Sequence, residues 1–117
     1  MEEKYDLKLI AVTGQIVEDL MALVELKRQM SELQQKISTI KITHMREAAN
    51  ATTTENKPKY KNADARDSYV KQKLADSDLI TERKSLEYLI AKKAAEVESS
   101  KYWHKTYSTI IGIKGGL

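Results

Sequence analysis

The stretch Leu9–Ile40, LIAVTGQIVEDLMALVELKRQMSELQQKISTI, decides the fold. Leu9, Ile16, Leu23, Met30 and Ile37 recur every seven residues, and Val12, Leu26, Leu33 and Ile40 fill the intervening three-four spacing. Asp19 alone breaks the second series. An apolar seam sustained over about four heptads specifies a coiled coil or a long helical hairpin. Lys27, Gln29, Gln34, Lys36 and Lys41 flank it with the long polar side chains that seam neighbours carry. A second apolar row, Ile10, Val17, Leu20, Met21 and Val24, widens the stripe beyond what one partner helix covers. The sequence therefore predicts an all-α antiparallel hairpin that assembles into a multi-subunit helical bundle. Ile10, Ile16, Val17, Leu20, Met21, Leu23 and Val24 are its candidate oligomer interface.

Working outward, the first arm is expected over residues 7–49. Thr13-Gly14 marks a kink, a close helix crossing or the true helix start, because glycine inside a helix costs about 1 kcal/mol against alanine. Ile37-Ser-Thr-Ile-Lys-Ile-Thr43 is rich in β-branched residues and favours extended backbone, whereas the heptad register runs through it and favours helix. Residues 50–61 carry three consecutive threonines, two asparagines and the single proline, and read as a polar, mobile loop. Asn62 or Asp64 caps the next helix. The second arm spans residues 63–113, with a break at Asp76-Ser77-Asp78, where three capping residues stand together. Gly112 to Gly116 reads as a helix terminator ahead of a flexible tail at 114–117. A phosphate loop would need a strand before it and a helix after it.

At 117 residues, with 32 % charged and 41 % hydrophobic residues, the chain has the make-up of long helices in one modest domain. Four glycines and one proline are too few for a β-sandwich or a dinucleotide-binding fold. No cysteine is present, which removes disulfides, thiol catalysis and cysteine-ligated zinc. His44 and His104 lie on opposite arms without metal-ligand spacing, and no serine sits in a nucleophile elbow. The expectation is a non-enzyme without metal or cofactor. The acidic start Met-Glu-Glu-Lys-Tyr-Asp is unlike a secretory leader. Lys8, Glu18, Asp19 and Glu25 interrupt Leu7–Leu26 as a membrane span. Both features point to a cytoplasmic chain that does not enter a membrane.

The net charge of +3 is unevenly spread. Residues 1–56 carry seven basic and nine acidic side chains, and residues 57–117 carry thirteen and eight. Lys57, Lys59, Lys61, Arg66, Lys71 and Lys73 cluster with Tyr60 and Tyr69 interleaved, opposed by Asp64 and Asp67. Cations neutralise phosphates and aromatic faces stack on unpaired bases, so the pattern suits single-stranded nucleic acid. Lys36, Lys41 and Arg46 extend the same candidate surface from the first arm. A second aromatic-basic group, Lys101-Tyr-Trp-His-Lys105 with Tyr107, places Trp103 seven residues before Ile110. That spacing predicts packing between the two, in the core or at the oligomer interface.

The run Lys59-Tyr-Lys-Asn-Ala-Asp-Ala-Arg-Asp-Ser-Tyr69, then Leu74-Ala-Asp-Ser-Asp78 and Leu86-Glu-Tyr-Leu89, resembles small helical proteins of phages and prophages. The layout over about residues 30–113 resembles the recombination mediators of T-even phages. This resemblance implies an oligomeric helical protein that binds single-stranded DNA and helps load a recombinase onto strands covered by single-strand-binding protein. Lys36, Lys41, Arg46 and the basic residues from Lys57 to Lys73 match the mediators' basic region by position. The alternative is a helical protein-interaction module, an inhibitor or adaptor of a host defence or replication factor, which the broad apolar row also suits.

Overall fold

A computed structural model describes residues 2–115, with side chains described for residues 4–113. The described residues are all-α and form three helices: α1 (Glu2–Asn50), α2 (Ala63–Asp76) and α3 (Leu79–Gly115). Its contacts gather into two compact units. A connector unit comprises Gln29–Glu87, and a terminal unit joins Met1–Arg28 to Tyr88–Leu117.

In the connector unit the second half of α1 pairs antiparallel with the returning chain. Leu33 and Ile37 from α1, Val70 and Leu74 from α2 and Leu79 from α3 form its buried core, with Ile40, Tyr69, Ile80 and Leu86 packed around them. Burying side chains of this kind stabilises by about 1.5–3 kcal/mol each. Residues 37–43 are helical. Ile37 is buried and Ile40 half-buried on the seam, and the threonines satisfy their hydroxyls within the helix. Thr39 donates to the Gln35 carbonyl at 3.0 Å and Thr43 to the Thr39 carbonyl at 3.0 Å. Asn62 caps α2, accepting from the Ala65 amide at 2.8 Å. Ser77 ends α2, its amide and hydroxyl both bonding to the Leu74 carbonyl. The next helix restarts through the Asp78 carbonyl, which accepts from the Glu82 amide at 2.9 Å.

The threonine-rich segment is an ordered turn. The Thr53 amide donates to the Lys57 carbonyl at 2.7 Å, the Asn56 amide to the Thr53 carbonyl at 3.0 Å and the Lys59 amide to the Ala51 carbonyl at 2.9 Å. Thr52 and Pro58 form an antiparallel bridge. Asn56 has φ 61°, the left-handed position that closes a three-residue hairpin loop and that asparagine tolerates better than most residues. Lys57, Lys59 and Lys61 are exposed along this turn and its exit.

In the terminal unit the first half of α1 pairs antiparallel with α3. Leu9, Val12, Ile16, Leu23 and Leu26 are half-buried, as the seam predicts, and Val97 of α3 is buried. Tyr5 meets Tyr107 at 6.3 Å between ring centroids, with Lys8 above both rings. This end contact helps hold helix before residue 7, so α1 starts earlier than predicted. α1 also runs uninterrupted through Gly14, and nothing lies within 4 Å of a Cβ built there. Gly14 is therefore neither a helix start nor a crossing point within the chain. α3 passes through Gly112 and ends at Gly115, inside the glycine run expected to terminate it and two residues beyond the expected end. One glycine costs about 1 kcal/mol, less than the packing of half-buried Ile110 and Ile111 beside it supplies. Residues 116 and 117 of the expected tail lie outside the described residues.

Candidate nucleic-acid interface

The basic candidates of the connector unit fall into three groups. Lys41 of α1 and Lys71 of α2 line one groove of about 500 Å³, together with Arg83 of α3. Its floor is apolar, from Ile37, Met45, Val70, Leu74, Ala75 and Ile80, and Asp67 is the acidic residue in its lining. The spacing explains the grouping. Ile37, Lys41 and Met45 recur every four residues along α1, as do Asp67, Lys71 and Ala75 along α2, so each set shares one helix face.

Arg83 does not emerge from the sequence as a candidate, standing apart from the basic run behind the helix break. Its Nε is buried and has no hydrogen-bond partner among the described residues. The nearest carboxylate oxygen, on Glu87, is 3.8 Å away, too far for a hydrogen bond. A buried donor without a hydrogen bond costs about 1–3 kcal/mol, offset in part here by the Glu87 charge 3.8 Å away.

A second group surrounds Tyr69. Its hydroxyl donates to Glu47 Oε2 at 3.0 Å, and His44 Nδ1 approaches the same oxygen at 2.9 Å. A carboxylate only accepts, so the imidazole nitrogen carries the proton in this contact. The His44 hydrogen bond, then that of Tyr69, holds the Glu47 carboxyl below the usual glutamate range. Reciprocally, the hydrogen bond to Glu47 holds the Tyr69 hydroxyl above the usual tyrosine range. Tyr60 packs against Tyr69 at 4.9 Å between ring centroids, with Lys59 over Tyr60 and Lys73 over Tyr69. The two tyrosines thus spend part of their ring surface on each other. The His44–Glu47 spacing of one helical turn was visible in the sequence. The tie to Tyr69, 22 residues on, was not.

Lys36 stands apart. It lines another groove of about 570 Å³ with Glu32, Asp78 and Glu82, an acidic setting that repels phosphate. Arg46 and Lys61 are exposed, Arg66 is half-buried, and exposed Lys57 lies 3.7 Å from Glu55.

The interface candidates of the terminal unit also divide. Ile16, Leu23 and Ile110 are half-buried within the unit, whereas Ile10, Val17, Leu20, Met21, Val24 and Trp103 are exposed. Trp103 stacks on Tyr107, one turn along, at 5.7 Å and 27°, with Tyr102 edge-on to it. Where the seam series is broken, Asp19 is buried; it accepts from Gln15 at 2.9 Å and lies 3.5 Å from Lys93. The Glu96 hydrogen bond, with help from Asp19, holds Lys93 above the usual lysine range.

Among the described residues no group of three or more His, Asp or Glu side chains is arranged to hold a metal ion. Among them, too, no helix is long and apolar enough to cross a membrane. Comparison with protein-family models, with curated proteins and with solved structures found no match to the chain.

Proposed function

We propose that the chain is an oligomeric, cytoplasmic accessory protein that binds single-stranded DNA through the connector unit. The observation that carries this reading is the groove in which Lys41, Lys71 and Arg83, whose Nε makes no hydrogen bond, surround an apolar floor. Cations at the rim neutralise phosphates while unpaired bases cover apolar surface, the division of labour in single-strand binding. Lys57, Lys59 and Lys61 on the ordered turn add positive charge along the approach. The resemblance to phage recombination mediators extends the proposal to assisting recombinase loading on strands covered by single-strand-binding protein.

A salt titration of binding to single- and double-stranded oligonucleotides tests it. Single-strand affinity is expected to fall with salt at a log-log slope of about −0.7 per phosphate contact. Replacing Lys41 and Lys71 together by alanine is expected to flatten the slope by about 1.4 on that scale. Arg83→Lys keeps the charge but loses the Nε donor, and weakens binding with a smaller change in slope. Absence of single-strand binding by the unaltered protein at low salt overturns the reading. The exposed apolar row of the terminal unit favours, as a second reading, an interaction module that binds protein alone.

A further inference from the structure

α1 carries two seams, and the chain uses one. Leu7, Ile10, Gly14, Val17, Met21 and Val24 repeat at the same alternating three-four spacing as the inner seam. Each stands two residues before an inner-seam position, hence about 200° round the helix at 3.6 residues per turn. The five apolar side chains in this outer row, with Leu20 beside them, are 40–69 % exposed. An inner heptad seam closed by α3 and an outer one left open on the same helix is the pattern of a helix that also packs on a partner.

We infer that this outer row is the interface of an antiparallel homodimer in which two copies of α1 cross at a two-fold axis between Gly14 and Val17. The inference rests on the self-association part of the function proposed above and not on DNA binding. Three observations select a second copy in this orientation. First, antiparallel pairing sets Leu7 against the partner's Val24, Ile10 against the partner's Met21 and Gly14 against the partner's Val17. A large residue thus meets a small one at the centre.

Second, the flanking charges are complementary in that register. Lys4 faces the partner's Glu25 and Asp6 faces the partner's Lys27, each pair occurring twice by symmetry. Glu25 already holds Arg28 at 2.6 Å, and a carboxylate accepts from more than one cation. A parallel pairing would instead set Thr13 against Glu18 and Leu20 against Glu25. Third, Gly14 weakens the helix while, among the described residues, nothing beyond the adjoining turns of its own helix comes within 4 Å of its missing side chain. An approaching partner helix uses that gap. The exposed apolar side chains offer on the order of 600 Å² per protomer, so pairing them clears the roughly 1,000 Å² total of a biological interface.

The full-length protein, without nucleic acid, provides the test. The chain lacks cysteine, so introduced thiols report register without background. On diamide oxidation, the double variant Leu7→Cys/Val24→Cys is expected to run as a covalent dimer, whereas Leu7→Cys alone stays uncrosslinked because its copies lie roughly 26 Å apart along the axis. Val17→Glu, at an exposed site, is expected to retain its helical circular dichroism and to lose the dimer in size-exclusion light scattering. Asp6→Lys weakens association at least several-fold, and adding Lys27→Asp restores it. A monomeric unaltered protein, crosslinking of Leu7→Cys alone, or failure of the charge exchange to rescue overturns the inference. DNA binding measured separately on Val17→Glu shows whether the two proposals stand or fall apart.

Discussion

Replacing Asp19 by leucine is expected to stabilise the protein. Asp19 takes the inner-seam position that Val12 and Leu26 hold one heptad to either side, and it is 4 % exposed. Its carboxylate receives one good hydrogen bond, from Gln15 at 2.9 Å. Lys93 stands 3.5 Å away and gives its shorter contact, 2.7 Å, to Glu96. Desolvating a carboxylate costs several kcal/mol, which only close and well-aligned pairing recovers. When Asp19 is removed, Lys93 keeps Glu96 and its path to water, so no buried charge is stranded. A buried leucine adds about 1.5–3 kcal/mol of apolar burial. A shallow, open recess of about 300 Å³ beside Asp19, lined by Gln15, Glu96, Ser99 and Ser100, leaves space for the larger side chain without enclosing all of it.

Allowing for imperfect fit, the gain is expected to be about 1–3 kcal/mol, because the remaining partner Lys93 stays paired with Glu96 at 2.7 Å and is not left as an uncompensated buried charge. At this chain length that is roughly 3–6 °C in Tm for each kcal/mol. Urea unfolding followed by circular dichroism reads it as a higher midpoint at unchanged slope. Protomer concentration is held fixed because association shifts apparent stability. A loss of about 1 kcal/mol or more would refute the reasoning and make the Asp19–Lys93 contact a net source of stability. Lys93→Met on the leucine background, expected to be near neutral, then tells a lost pair from a poorly fitting leucine.

Three further outcomes concern the connector unit. Val70→Ala removes two methyl groups from a residue 2 % exposed and is expected to cost about 2–3 kcal/mol in urea unfolding. Asn56→Gly is expected to leave thermal stability unchanged or raised, whereas Asn56→Val, forced into the left-handed region, is expected to lose about 1–2 kcal/mol. Glu47 titrates below its ordinary range in the folded protein, so its contribution is present above the ordinary glutamate value of about 4.3 and is lost as pH falls through the lower folded value. Urea midpoints measured against pH are therefore expected to fall less steeply below that point in Glu47→Gln than in the unaltered protein.

The helices and their breaks were legible because their causes are periodic or local. The run from Leu9 to Ile40 announces the seam, Asn62 carries its cap, and Asp76-Ser77-Asp78 carries the helix break. Gly14 misled because a residue-level propensity of about 1 kcal/mol is outweighed by the helix on either side. The threonine-rich turn was legible as a connector and not as an ordered one, since its closure depends on the left-handed Asn56 and on backbone bonds between Ala51–Thr53 and Lys57–Lys59. Of the candidate site, Lys41 and Lys71 were readable as basic residues. Their meeting with Arg83 needed the packing of three helices, which no single-helix pattern encodes. Asp78 and Glu82 beside Lys36 were hidden for the same reason, whereas Glu32, four residues before it on α1, was readable.

The two units differ in how far along the chain their contacts reach, and that difference bears on how the protein folds. Tyr69 meets Glu47 across 22 residues, whereas Lys93 meets Asp19 across 74. Closing the longer loop first costs about 1 kcal/mol more in chain entropy than closing the shorter one. Zipping is thus expected to begin beside the Thr53–Lys57 turn and to spread toward the chain ends, each closed contact shortening the loop left for the next. On that order Val70→Ala slows folding, while Asp19→Leu acts mainly by slowing unfolding. The ordered turn is then a nucleus as well as a connector.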